Sequence, residues 1–363
     1  MLRRPFLFAF VTVCIGGLAF AKTPSLQPGP VQLASIGPMT FATNGILLVG
    51  DPKTATLYAL DTEDTPGTAS DIGNGESLEI ADLAKAIGTT LNESDAIAIG
   101  ELAANPETGN VFLSVTASGA TRIVKITRDK TISELNLDKI PHASKSLPNP
   151  PEDKAQGRRR RNPRQKSITD LAFFDGKVMV TGLSAGDAPS RVLEFEFPFT
   201  DAGIATSVEI FHAAHGRVET PAIETFLPMM IDGEPSVLAG FTCTPLVRFP
   251  IDELSGGSKV RGTTVAELGN RNRPLDMVVY EKDGKTSILM SNSSRGMMKI
   301  STEGIGQRET LTEKVSGGGT AGQPFETIES LASVVQMDKI DDAHAIAILE
   351  QRGTLTLKTI ALP

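Results

Sequence analysis

Along the chain a short unit of apolar and polar positions recurs six times. An apolar strand is followed by a turn and a second apolar strand. A polar turn then leads to a strand in which apolar and polar residues alternate, the mark of a half-buried strand. The copies run 38–41, 46–49 and 56–60; 101–103, 111–115 and 122–126; 170–173, 178–180 and 192–195; 225–227, 237–239 and 246–249; 276–279, 288–290 and 297–300; and 331–334, 345–348 and 354–357. In four copies the first two strands are joined by Asn44-Gly45, Asp175-Gly176, Asp232-Gly233 or Asp283-Gly284. These pairs tolerate positive φ at both positions, as a two-residue hairpin requires.

A fourth strand is expected after each of the first five copies, at 77–80, 131–137, 207–211, 263–268 and 309–315. The sixth copy ends too near Pro363 for one, while a spare apolar segment, 31–36, precedes the first. Pairing that segment with 354–360 would close a ring and leave no open sheet edge. The pattern therefore predicts an all-β, six-bladed propeller over 22–363. A seventh blade would have to come from 138–166, which is polar and Pro-rich; 141–166 is expected to be a mobile basic loop. Leu83, Ile87 and Leu91 at helical spacing predict one short helix.

This organisation resembles the six-bladed superfamily of gluconolactonase-like, strictosidine-synthase-like and NHL-type propellers. The resemblance implies the fold and no single activity. Gluconolactonase-like enzymes open their first blade with a metal-binding Glu before Gly-Pro. Here Ile36 precedes Gly37-Pro38, and Pro274-Leu275-Asp276 is displaced by one residue from their Pro-Asp-Gly.

The first residues read as an export signal, with Arg3 and Arg4, an apolar stretch 6–20, and Ala19-Phe20-Ala21 as the cleavage site. Residues 1–21 are therefore expected to be removed near Ala21, placing the protein in a bacterial periplasm or outside the cell. Arg3-Arg4-Pro5-Phe6-Leu7 also approaches a twin-arginine signal. The formal net charge of −8 argues against nucleic-acid binding. Of two cysteines, only Cys243 follows the signal, so no internal disulfide is available. No second apolar stretch would span a bilayer.

In a propeller the inner strands line a central channel. Glu101, Asp170, Glu224 and Asp276 stand at or near the starts of inner strands, so repeat symmetry brings them toward one mouth. Glu101, Asp170 and Asp276 are the candidate ligands for a hard cation, calcium above all. His212 and His215, with Cys243 in a loop of the next blade on the same face, are a second candidate set, for a transition metal. Arg217, Arg271, Arg273 and Arg295 are candidates for anion binding there. Arg158, Arg159, Arg160 and Arg161 form a basic run that would suit a polyanion.

Other motifs carry less. Gly182-Leu183-Ser184-Ala185-Gly186 has nucleophile-elbow spacing, but a strand rather than a helix should follow. Gly317, Gly319 and Gly322 lack the βαβ context of a dinucleotide site. There is no Cys-x-x-Cys-His for a c-type haem, and no Trp. The reading is an exported propeller that binds a small ligand or protein partner on its loop-rich face. The alternative is a calcium-assisted lactone or ester hydrolase, or a quinone-type dehydrogenase, using Glu101, Asp170 and Asp276.

Overall fold

A computed structural model describes residues 26–66, 77–155 and 161–363. The expected signal, 1–21, and Arg158, Arg159 and Arg160 lie outside these residues. Within them six sheets form the blades of a propeller, numbered here by the chain order of their inner strands. The inner strands are Met39–Phe41, Ala98–Ala104, Asp170–Phe174, Ile223–Ile231, Pro274–Lys282 and Val334–Lys339. They pack side by side in a closed ring with blades in the order 1, 3, 4, 5, 6, 2.

The alternating pattern explains how the ring holds together. In a strand successive side chains point to opposite faces. Leu47 and Val49 enter an apolar cluster with Ala103, Phe112 and Ile123 of blade 2, while Leu48 between them packs with Val178, Val180 and Leu193 of blade 3. In blade 4, Phe226 and Val237 face Met179 and Val192 of blade 3, whereas Leu227 and Leu238 face Met277 and Ile288 of blade 5. Blades 5 and 6, and blades 6 and 2, are joined in the same way. The four Asn-Gly and Asp-Gly pairs all have positive φ at both residues, as their turns demand.

The ring closes differently from the expectation. Glu79–Ile80 is the outer strand of blade 6 and not of blade 1, with Leu357 opposite Ile80 and Lys358 opposite Glu79. The outer strand of blade 1 is Ile140–Ser146, within the stretch expected to be a loop. Residues 31–36 form no strand. The N–H of Val31 donates to Leu137 O, and Ala34 N and Ser35 Oγ bond Asp51. Outside blade 1, Gln27–Gly29 pairs with the strand Ile140–Ser146. Residues 309–315 likewise form no strand, and the outer strand of blade 5 is Phe325–Thr327.

The N-terminal triplet of blade 1 is thus a wedge between blades 2 and 3. The chain after it completes blade 6, builds blade 2, returns as the outer strand of blade 1, and continues through blades 3 to 6. A buried carboxylate locks the wedge. Asp64, just after the triplet, accepts bonds from Asn105 Nδ2 (2.8 Å), Thr108 Oγ1 (2.7 Å), Asn110 Nδ2 (2.8 Å) and Lys125 Nζ (2.7 Å), all of blade 2. The expected helix is present as Leu83–Leu91, with Leu83 and Ile87 buried against blades 6 and 2. Among the described residues no helix is long and apolar enough to cross a membrane.

Candidate functional site

The starts of the inner strands converge on one mouth of the channel. A cavity of about 180 Å3 there is lined by Glu101, Asp170, Glu224, Thr225, Arg273 and Asp276, among others. Asp170 and Asp276 have a structural task as well. Asp170 accepts the N–H of Leu171 and, across the blade boundary, that of Phe226, each at 2.8 Å. Asp276 repeats the arrangement with Met277 and Met337, each at 2.8 Å. Asp338 repeats it again with Lys339 (2.8 Å) and Ala104 (2.9 Å). These carboxylates staple neighbouring inner strands.

Crowding and burial decide their charge. Burial pushes the Asp170 carboxyl up to about 7, with Glu101 adding to the rise, against the N–H bonds that lower it. Burial pushes Asp276 well above the usual range, and Asp170, Asp338 and Glu101 add repulsion. Asp338 rises to about 6, again by burial. Burial also raises Glu101, partly offset by Arg273. Glu224 is engaged by Lys166 and by Thr242 Oγ1. Among the described residues the Glu101 carboxylate has no hydrogen-bond or ion-pair partner. Of the candidate arginines among the described residues, only Arg273 lines this cavity. Arg217 pairs with Glu219, Arg295 Nη2 bonds Gly318 O (3.2 Å), and Arg271 and Arg161 are exposed.

Beside the cavity lies the second cluster. His212 ends the strand Ile204–His212, and a tight turn through His215 and Gly216 sends the chain back as Arg217–Glu219. That hairpin sets Glu219 under both rings. Its Oε2 lies 2.9 Å from Nδ1 of His212 and 2.9 Å from Nδ1 of His215, and the ring centroids are 3.9 Å apart. Burial would raise the Glu219 carboxyl, but bonds from His215, Arg217 and His212 outweigh it and hold it at about 2. Burial, then His215, lowers His212.

Cys243 comes from the turn between the second and third strands of blade 4. Cys243 and Thr244 have φ of 67° and 48°, and Cys243 N donates to Asn272 O at 2.8 Å. Among the described residues, one group of three His, Cys, Asp or Glu brings a ligand atom from each within 4.8 Å of the others: His212, His215 and Cys243. Glu101, Asp170 and Asp276 share a cavity without forming such a group. The two places adjoin. Thr242 bonds a cavity carboxylate while Cys243 joins the cluster, and Asn272 holds Cys243 while Arg273 lines the cavity.

Sequence reasoning passed over Asp338, Glu219 and Glu267. Asp338 was missed because the sixth repeat was aligned at 331–334, four residues ahead of it. Glu219 follows His215 by four residues in a hairpin, a signal present in the sequence. Glu267 is buried and its Oε2 accepts the N–H of Ala214 at 3.0 Å; nothing local marks it. Ser184 lies in a strand-to-strand loop, as expected from its neighbours.

No family model and no curated protein sequence matches the chain. Among solved structures, the full extracellular region of plexin A4 is 8% identical with a TM-score of 0.43. That match covers 93% of this chain, which spans about half, 47%, of the plexin chain. The PQQ-bound form of an aldose sugar dehydrogenase from Streptomyces coelicolor is 11% identical, with a TM-score of 0.31 and coverage of 94% of this chain and 98% of that one. At these values neither likeness bears on ligand, cofactor or activity.

Proposed function

We propose that the protein is a binding propeller whose loop-rich face takes a small cationic ligand, of the organic ammonium class, in the cavity at the channel mouth. One observation carries this reading. Glu101 presents an uncommitted carboxylate to a cavity that already holds Asp170, Glu224 and Asp276, with Arg273 as its one lining cation among the described residues. Like charges so confined stay partly protonated, and a bound cation lets them ionise. Asp170, at about 7, is poised to respond near neutral pH. The spacing of the three carboxylates favours an ammonium group, whose hydrogen bonds reach farther than calcium–oxygen bonds. The volume admits a ligand of a few heavy atoms.

Methylammonium, 1,3-diaminopropane, choline and calcium, each titrated against thermal unfolding, test the reading. One of the ammonium probes should raise the melting temperature increasingly with concentration, and Glu101→Gln should weaken the effect. A shift from calcium alone would assign the cavity to a metal. No shift from any probe would remove the reading.

A further inference from the structure

We propose that His212, His215 and Cys243 form a site for a divalent d-block metal ion of zinc's class, with a fourth coordination position left to water or an exogenous ligand. The side chains carry the argument. Both imidazoles turn Nδ1 toward the same oxygen of Glu219, so Nδ1–H donates there. In the neutral ring the other nitrogen, Nε2, is then a bare acceptor. A carboxylate holding the far nitrogen of a histidine is the usual support of a metal-ligating imidazole. Here one carboxylate supports two.

A second observation points the same way. His212 is 2% exposed, and its Nε2 is buried with no hydrogen-bond partner. Buried polar atoms are nearly always partnered, and an orphan calls for something the protein atoms do not supply. The Sγ of Cys243 and a ring nitrogen of each imidazole lie within 4.8 Å of one another, so the orphan belongs to a ring that shares a metal-sized group with a thiol and a second imidazole. Two nitrogens and a thiolate suit a borderline-soft ion, at ordinary bonds of about 2.0–2.1 Å to N and 2.3 Å to S.

The backbone supports the reading from outside the ligands. Elsewhere among the described residues, turns with two consecutive positive-φ positions end in Gly, as at Asn44-Gly45, Ser118-Gly119 and Arg352-Gly353, and Gly accepts positive φ at little cost. In the turn of blade 4, between Phe241 and Pro245, two consecutive non-glycine residues, Cys243 and the β-branched Thr244, take positive φ instead. Such strain persists where a side chain is needed in place. With three protein ligands in the group, one tetrahedral position stays open, as in exchangeable rather than closed structural sites. On binding, the Cys243 S–H bond breaks, the thiolate lone pair forms the metal–sulfur bond, and the proton goes to solvent. The cluster shares no residue with the channel cavity, so this inference and the ammonium reading fail separately.

The test titrates chelator-treated, thiol-reduced protein with zinc, following thermal unfolding, and with cobalt, following visible absorption. Binding should saturate at one ion per chain and raise the melting temperature. Cobalt should give an intense thiolate charge-transfer band, and azide should perturb the spectrum through the open position. Cys243→Ser should abolish the band. His215→Ala, at an exposed position, should weaken binding more than Glu219→Gln. As a positioning residue, Glu219 should cost about 10- to 100-fold in affinity while the thiolate band remains. Absence of zinc and cobalt binding by the wild-type chain would overturn the proposal. So would a cobalt complex without the thiolate band, or unchanged binding in both Cys243→Ser and His215→Ala.

Discussion

Asp64→Ala probes how the wedge is held. The carboxylate is fully buried and takes four side-chain bonds of 2.7–2.8 Å from blade 2. Its removal strands the amides of Asn105 and Asn110, which are 0% and 1% exposed. Asn105 keeps its 2.6 Å bond to Asp64 O, and Lys125, with its side chain 24% exposed, can turn to water. Breaking a buried ion pair costs about 3–5 kcal/mol, and the exposure of Lys125 puts the expected loss near the lower end, about 3 kcal/mol. Urea unfolding at pH 6 measures it as a fall in midpoint at constant m-value. Burial would raise the Asp64 carboxyl, but Lys125, Thr108, Asn110 and Asn105 outweigh it and hold it below the usual range. A depressed carboxylate stabilises the fold above its unfolded pKa of about 3.9 and loses that contribution as pH falls through the folded value. The gap between wild type and variant should therefore shrink at pH 3. A gap under about 1 kcal/mol at pH 6, or one that widens on acidification, would refute the reasoning.

Other outcomes follow from the same geometry. Deleting residues 77–80 bares the outer edge of blade 6 at Thr354–Ala361, and the variant should self-associate in light scattering where the full chain does not. Asp170, raised to about 7, binds more protons folded than unfolded above pH 4. It should cost the wild type at most about 3 kcal/mol between pH 5 and pH 8, and urea titrations of Asp170→Asn should lack that decline. Cys243→Asn, at φ 67°, should stabilise the fold by about 1 kcal/mol while losing the cobalt band; destabilisation would remove strain from the argument for the cluster.

The blades were legible because each inner hairpin carries its own signals. Alternation such as Leu47, Leu48, Val49 encodes two packing faces, and Asn44-Gly45 encodes the turn between strands. The outer strands were not legible. Glu79–Ile80 and Phe325–Thr327 are two and three residues long and pair through the backbone, which no side-chain period records. Assigning them by adjacency in the chain misplaced the closure, because the strand that finishes blade 1 arrives about eighty residues after its inner triplet. Repeat position did bring Glu101, Asp170 and Asp276 to one cavity. Their inter-blade stapling was hidden, since Phe226 N and Met337 N belong to the next repeats.

The central claim is that a cation enters the channel mouth by ionising its carboxylates. Isothermal titration at pH 6.5 tests it most directly, using whichever ammonium probe gives the largest thermal shift, in two buffers of different ionisation enthalpy. With Asp170 at about 7 and Asp276 well above its usual range, binding should release protons. The measured heat should then differ between the buffers, and Asp170→Asn should reduce the release. Heats that are equal in the two buffers, or an unchanged release in the variant, would contradict the account.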